Sequence, residues 1–80
     1  MHIAVEMSLY PLSDEFIPPI LEFIAGLNAH PRLAVVTNSM STQVSGELDD
    51  VFDALRAEIA VTFANPRRSV LVMKVLGGGG

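Results

Sequence analysis

His2-Ile3-Ala4-Val5-Glu6-Met7-Ser8-Leu9-Tyr10-Pro11 alternates strictly. Ile3, Val5, Met7 and Leu9 take one side; His2, Ala4, Glu6, Ser8 and Tyr10 take the other. A period of two predicts a strand with one buried face. Pro11 lacks the backbone donor needed to continue it. Beyond it, the acidic, cap-like Ser13-Asp14-Glu15 precedes Ile17, Ile20, Leu21, Ile24 and Leu27 at helical spacing. Pro18 and Pro19 are tolerated only in a first turn, so the helix is expected from near Phe16 to about Asn28, before Pro31.

Leu33 to Thr37 and Met40 to Val44 then read as two short strands around an Asn38-Ser39 turn, with Gly46 breaking the pattern. After it, Leu48, Val51, Phe52, Leu55, Ile59, Thr62 and Phe63 form one helical stripe, stopped by Asn65-Pro66. Ser69 to Leu76 is a last, strongly β-prone strand. The expected core is Ile3, Val5, Leu9, Ile20, Leu21, Ile24, Val44, Val51, Phe52, Leu55 and Ile59. Residues 1–76 are expected to form one domain, followed by a flexible glycine tail over 77–80.

This order, βαββαβ, predicts an α+β ferredoxin-like fold: a four-stranded antiparallel sheet with two helices on one face. Nothing in the chain is left to cover the other face. The last strand carries apolar residues on both sides: Leu71, Met73 and Val75 on one, Val70, Val72 and Leu76 on the other. A second copy is the simplest cover, so a homodimer or tetramer is expected. Composition agrees. Half of the 80 residues are hydrophobic, and a chain this short buries only about 60% of its unfolded surface.

The same arithmetic excludes several classes. Five basic residues against nine acidic give a net charge of −4, contrary to a nucleic-acid binder. With no cysteine there is neither a disulfide framework nor a thiolate site. The apolar runs fall far short of the ~20 residues that span a bilayer, and no basic segment precedes an apolar one as in a secretory leader. A cytoplasmic protein without membrane insertion is expected.

No nucleophile–base constellation is visible, so the chain is not expected to be an enzyme or to hold a metal or cofactor. His2 and His30 read as incidental. Glu47, Asp49, Asp50 and Asp53 complement a helix dipole, and Arg67-Arg68 reads as a solvated turn. Two features stand out. Glu6 lies mid-strand on the uncovered face, either solvated or as a buried partner for a ligand. The run Thr37-Asn38-Ser39-Met40-Ser41-Thr42-Gln43 carries six hydrogen-bonding side chains in seven positions. Turn chemistry explains Asn38 and Ser39; Ser41, Thr42 and Gln43 either fill structure or line a polar pocket.

Around these residues the sequence resembles a known family. Val5-Glu6-Met7-Ser8-Leu9-Tyr10-Pro11-Leu12, Asn38 to Glu47, and Asp50-Val51-Phe52 are similar to the YkoF-like family. The resemblance implies a non-catalytic protein that binds thiamine or its hydroxymethylpyrimidine moiety in uptake or salvage, with Met40-Ser41-Thr42 lining the pocket. The family's namesake resembles two such domains in tandem, so here self-association would supply the second. An aminopyrimidine offers an amine donor and ring-nitrogen acceptors. Glu6, Tyr10, Asn38, Ser41 and Thr42 are the available partners of those types. Two alternatives remain: a dimeric ferredoxin-like enzyme, of isomerase or cofactorless monooxygenase type, using Glu6 or His2 for proton transfer, and a regulatory small-molecule-sensing module.

Overall fold

The computed structural model describes residues 1–64, 66 and 68–78. Asn65 of the helix-stop pair, Arg67 of the arginine pair, and Gly79 and Gly80 of the tail lie outside the described residues. The elements follow the expected order: β1 (His2–Pro11), α1 (Ile17–Asn28), β2 (Ala34–Thr37), β3 (Thr42–Glu47), α2 (Leu48–Phe63) and β4 (Ser69–Gly77). The strands form one antiparallel sheet in the order β2-β3-β1-β4. This is the ferredoxin-like α+β fold.

Alternation along β1 becomes two faces. Ile3, Val5, Met7 and Leu9 are buried and join Phe23, Leu27, Val44, Val51 and Leu55 in one core beneath the helices. The neighbouring strands follow in register. Thr42, Val44 and Gly46 stand beside Met7, Val5 and Ile3 on one flank; Leu71, Met73 and Val75 stand beside Leu9, Met7 and Val5 on the other. Leu71 alone of that β4 set packs against the core. The opposite face presents Glu6, Ser8 and Tyr10 beside Lys74, Val72 and Val70, with Gln43 and Val36 further across.

Several expectations need correction. Leu21 and Phe52 are not core residues; they are 59% and 40% exposed. Each is one residue past a member of the inward stripe (Ile20, Val51), hence about 100° round the helix. Phe23 and Leu27 fill α1's buried side, and Val51, Ala54 and Leu55 fill α2's. Ile20 and Ile59 are packed against the core but only partly buried. Gly46 does not break a strand. It is buried within β3 opposite Ile3, where a Cβ would come within 3.2 Å of the Arg32 carbonyl oxygen and 3.3 Å of Leu33 Cδ2. Gly77, assigned above to the tail, is the last residue of β4 and pairs with Ile3.

The acidic residues behave as dipole chemistry expects. Asp49 and Asp50 occupy the first turn of α2, and Asp50 lies 3.6 Å from Arg32. His30 is not isolated: its Nε2 lies 2.9 Å from Glu58 Oε2. The Glu58 carboxylate passes where a Cβ on Gly26 would stand, so the glycine leaves room for that side chain to reach His30.

Burial decides which substitutions are costly. Leu55→Ala is expected to lower unfolding free energy by about 2–5 kcal/mol, whereas Phe52→Ala should lose under about 2 kcal/mol. Urea melts of the two variants check the assignment of α2's inward face.

Candidate functional site

The site originates in a mismatch of strand lengths. β1 pairs with β4 as far as Pro11, but its pairing with β3 ends at Met7 opposite Thr42. From Ser8 to Tyr10, β1 therefore has a strand on one side only. The space where β3 would have continued is occupied by the loop 38–41.

A third strand beginning at Met40, as the sequence suggested, would pair Met40 with Leu9 and close this notch. It does not form: Asn38 captures both the Met40 and Ser41 amides, one of which would have faced β1. Its Oδ1 accepts from Met40 N at 2.8 Å and from Ser41 N at 3.0 Å, an Asx turn. The Asn38 amide donates to the Ser41 carbonyl at 3.0 Å. The result is a four-residue connection between Thr37 and Thr42 in place of a two-residue turn.

A cavity of about 200 Å³ lies in the notch, lined by β1, α1 and the loop. Met7, Leu9, Ile20, Phe23 and Ile24 form its apolar side. Ser8, Tyr10, Thr37, Asn38, Ser39, Ser41 and Thr42 supply polar atoms, and Met40, highly exposed, stands at the loop's outer edge. Some of these atoms are already engaged. Thr42 is buried, and its hydroxyl lies 3.1 Å from that of Thr37. Ser8 Oγ donates to the Met40 carbonyl at 3.4 Å. Among the described residues, the Asn38 side-chain NH2 and the Ser39 hydroxyl have no hydrogen-bond partner, and the half-exposed Tyr10 side chain stands on the open face with Glu6, bordering the cavity from that side.

Four of the five sequence-derived candidates, Tyr10, Asn38, Ser41 and Thr42, are brought together around this cavity. Glu6 is not. It belongs to the open face of the sheet, opposite to Thr42's, and lies in a second recess of about 170 Å³ with Ser8, Tyr10, Val72 and Lys74. There it sits 3.8 Å from the Lys74 ammonium, its cross-strand neighbour, and accepts from Ser41 Oγ at 3.3 Å. Ser41 thus links the loop to the open face. Sequence reasoning missed Ser8, Ile20, Phe23 and Ile24 as lining residues and Lys74 as the partner of Glu6. The strand spacing carried a signal for Ser8; Phe23 needed the rotation of α1.

The two groups with perturbed protonation lie at the other end of β1. The Met1 ammonium is raised, and the Glu47 carboxyl lowered, chiefly by the hydrogen bond between them at 2.8 Å. Among the described residues, no three His, Asp or Glu side chains gather as metal ligands, and no helix is long and apolar enough to cross a membrane.

Fold and site together define a small ferredoxin-like domain with one end of its sheet left open as a pocket. The model of the YKOF-related family matches residues 2–75, and the chain belongs to that family. Among solved structures, a Streptococcus pneumoniae protein superposes with a TM-score of 0.89 at 21% identity, covering 98% of this chain and 88% of its own. A hypothetical protein from Methanocaldococcus jannascii gives 0.79 at 24% identity, over 92% and 77%. A Thermotoga maritima protein whose name reads "putative thiamine biosynthesis/salvage protein" gives 0.87 at 16% identity, over 100% and 87%. At these identities the likeness concerns the fold. No curated protein matches the chain.

Removing the Asn38 acceptor leaves the Met40 and Ser41 amides unpaired. Asn38→Ala should therefore accelerate hydrogen exchange at those two amides, with a global loss of about 1 kcal/mol. Asn38→Asp keeps the acceptor and should restore protection.

Proposed function

We propose that the chain is a non-catalytic binding protein whose pocket takes the hydroxymethylpyrimidine ring, free or as part of thiamine, in uptake or salvage in the cytoplasm. The observation that carries this reading is the notch beside Ser8–Tyr10, apolar on the α1 side and polar on the loop side. A flat heteroaromatic ring needs that combination: Phe23, Ile20 and Ile24 for its faces and edge, and hydrogen-bonding groups for its nitrogens. The Asn38 NH2 and the Ser39 hydroxyl suit ring-nitrogen acceptors. Hydroxyl oxygens and the unpaired edge of β1 suit the exocyclic amine. Membership of the YKOF-related family and the name of the Thermotoga maritima protein support the same ligand.

Size narrows the choice. About 200 Å³ is below the ~300–1,000 Å³ typical of drug-sized sites. It suits one ring, with the thiazolium of thiamine left outside. Among the described residues, no Asp, Glu, His, Lys or Arg lines the cavity, which favours binding over carboxylate- or imidazole-mediated proton transfer. In this reading the pyrimidine is cargo, and the chain needs neither metal nor cofactor. Self-association completes the proposal: a homodimer or tetramer formed through the open sheet face or the edge strands, where Val36, Val70, Val72 and Leu76 are exposed.

Calorimetric titration of verified apo protein tests the ligand. Free hydroxymethylpyrimidine and thiamine should bind within about tenfold of each other, a difference under ~1.4 kcal/mol, because only the shared ring is enclosed. Ser39→Ala removes a hydroxyl of the pocket wall that has no partner among the described residues, and should weaken both about 5- to 150-fold. Absence of binding heat with either compound would refute the assignment and leave the fold untouched.

A further inference from the structure

We propose that Glu6 is a positioning residue for the pocket: from the opposite face of the sheet it holds the loop 38–41 in place through Ser41. Affinity then depends on a carboxylate that the ligand does not touch. The proposal rests on the notch being the ligand site, and adds what keeps that site in shape.

The loop supplies Asn38, Ser39 and Ser41 to the cavity's polar wall. Strand pairing does not fix it to β1, because the ladder between β1 and β3 ends at Met7 opposite Thr42. Asn38 shapes the loop from within: its Oδ1 accepts from the Met40 and Ser41 amides, and its own amide donates to the Ser41 carbonyl. The Thr37 and Thr42 hydroxyls, 3.1 Å apart, close the base. None of these contacts sets how far the loop stands from β1, and that distance is the width of the notch.

Among the described residues, two side-chain hydrogen bonds span that distance, and both use β1 residues of the open face. Ser8 Oγ donates to the Met40 carbonyl at 3.4 Å, and Ser41 Oγ donates to Glu6 Oε2 at 3.3 Å. A hydrogen bond to an ionised acceptor is roughly twice as strong as a neutral one, so Glu6 is the firmer of the two tethers. Ser41 can make this link because it stands at a boundary. It lines the cavity, yet it precedes the inward-facing Thr42, so the pleat turns its side chain toward the open face.

The surroundings of Glu6 aim it. Its neighbours across the two ladders are Gln43 on β3 and Lys74 on β4. Lys74 Nζ lies 3.8 Å from Oε1, which draws one oxygen toward β4 and leaves Oε2 for the loop. The side chain is half-exposed and stands outside the core, so the fold does not depend on it. The pocket does. A loop released from β1 would have to be ordered as the ligand binds, and that ordering lowers affinity.

The test is calorimetric titration with hydroxymethylpyrimidine of the wild type, Glu6→Ala, Glu6→Gln, Ser41→Ala and the double variant Glu6→Ala/Ser41→Ala. Glu6→Ala should weaken binding about 3- to 10-fold with thermal unfolding unchanged. Glu6→Gln keeps an acceptor oxygen and should recover most of that loss. In the Ser41→Ala background, Glu6→Ala should add nothing, because both substitutions break the same contact. In the unliganded protein, Glu6→Ala should lower the amide order parameters of Ser39, Met40 and Ser41 and leave those of Val5 and Val44 unchanged. Wild-type affinity in Glu6→Ala, an equal loss with and without the Ser41 hydroxyl, or unchanged order parameters in the loop would each overturn the proposal. A wild type that binds no pyrimidine would overturn the ligand reading by itself, and the order parameters would still decide whether Glu6 holds the loop.

Discussion

The alternation of β1 governs both the fold and what it can bind. As the strand between β3 and β4, it sends Ile3, Val5, Met7 and Leu9 beneath the helices, while the same pleat sends Glu6, Ser8 and Tyr10 to the other face. A one-residue slip would exchange the two sets and put a carboxylate in the core. The register Val5↔Val44 is thereby fixed by hydrophobic burial, and the β4 register by Leu71, which packs against the core beside Leu9. Gly46 adds a close approach of the Arg32–Leu33 backbone that a larger residue would obstruct.

The pocket is a consequence of that register meeting a side chain that prefers a turn. β3 could have continued along β1 to Leu9, but Asn38 satisfies the Met40 and Ser41 amides locally. Local side-chain capture of backbone donors competes with ladder formation. Here it stops the sheet short and leaves a recess whose walls come from three elements. The loop is then held to β1 by Ser8 and Ser41, the latter through Glu6 and so toward Lys74 on β4. Loop position, open face and edge strand are connected by this short chain of polar contacts.

The element order, the faces of β1 and the interest of residues 37–43 were legible in the sequence because each rests on local periodicity or composition. The exceptions were tertiary. Leu21 and Phe52 lie within apolar stripes, and only the packing of Phe23, Leu27 and Ala54 shows them to be flanking positions. Thr42 sits in a polar run yet faces the core, since its side is set by Met7 across the ladder. Glu6 and Thr42 looked like members of one site; the pleat places them on opposite faces. The notch could not be read from the chain because it depends on where one strand stops relative to another.

The central claim, that the recess beside Ser8–Tyr10 is where a single heteroaromatic ring binds, is tested most directly by following backbone amide resonances during titration with hydroxymethylpyrimidine. Saturating shifts are predicted for Ser8, Leu9 and Tyr10, for residues 37–42 and for Ile20 to Ile24. The depression formed by His30 to Leu33 with Asp50, Asp53 and Ala54 should remain unmoved. A titration that left the first group in place, or that moved only the second, would contradict the account.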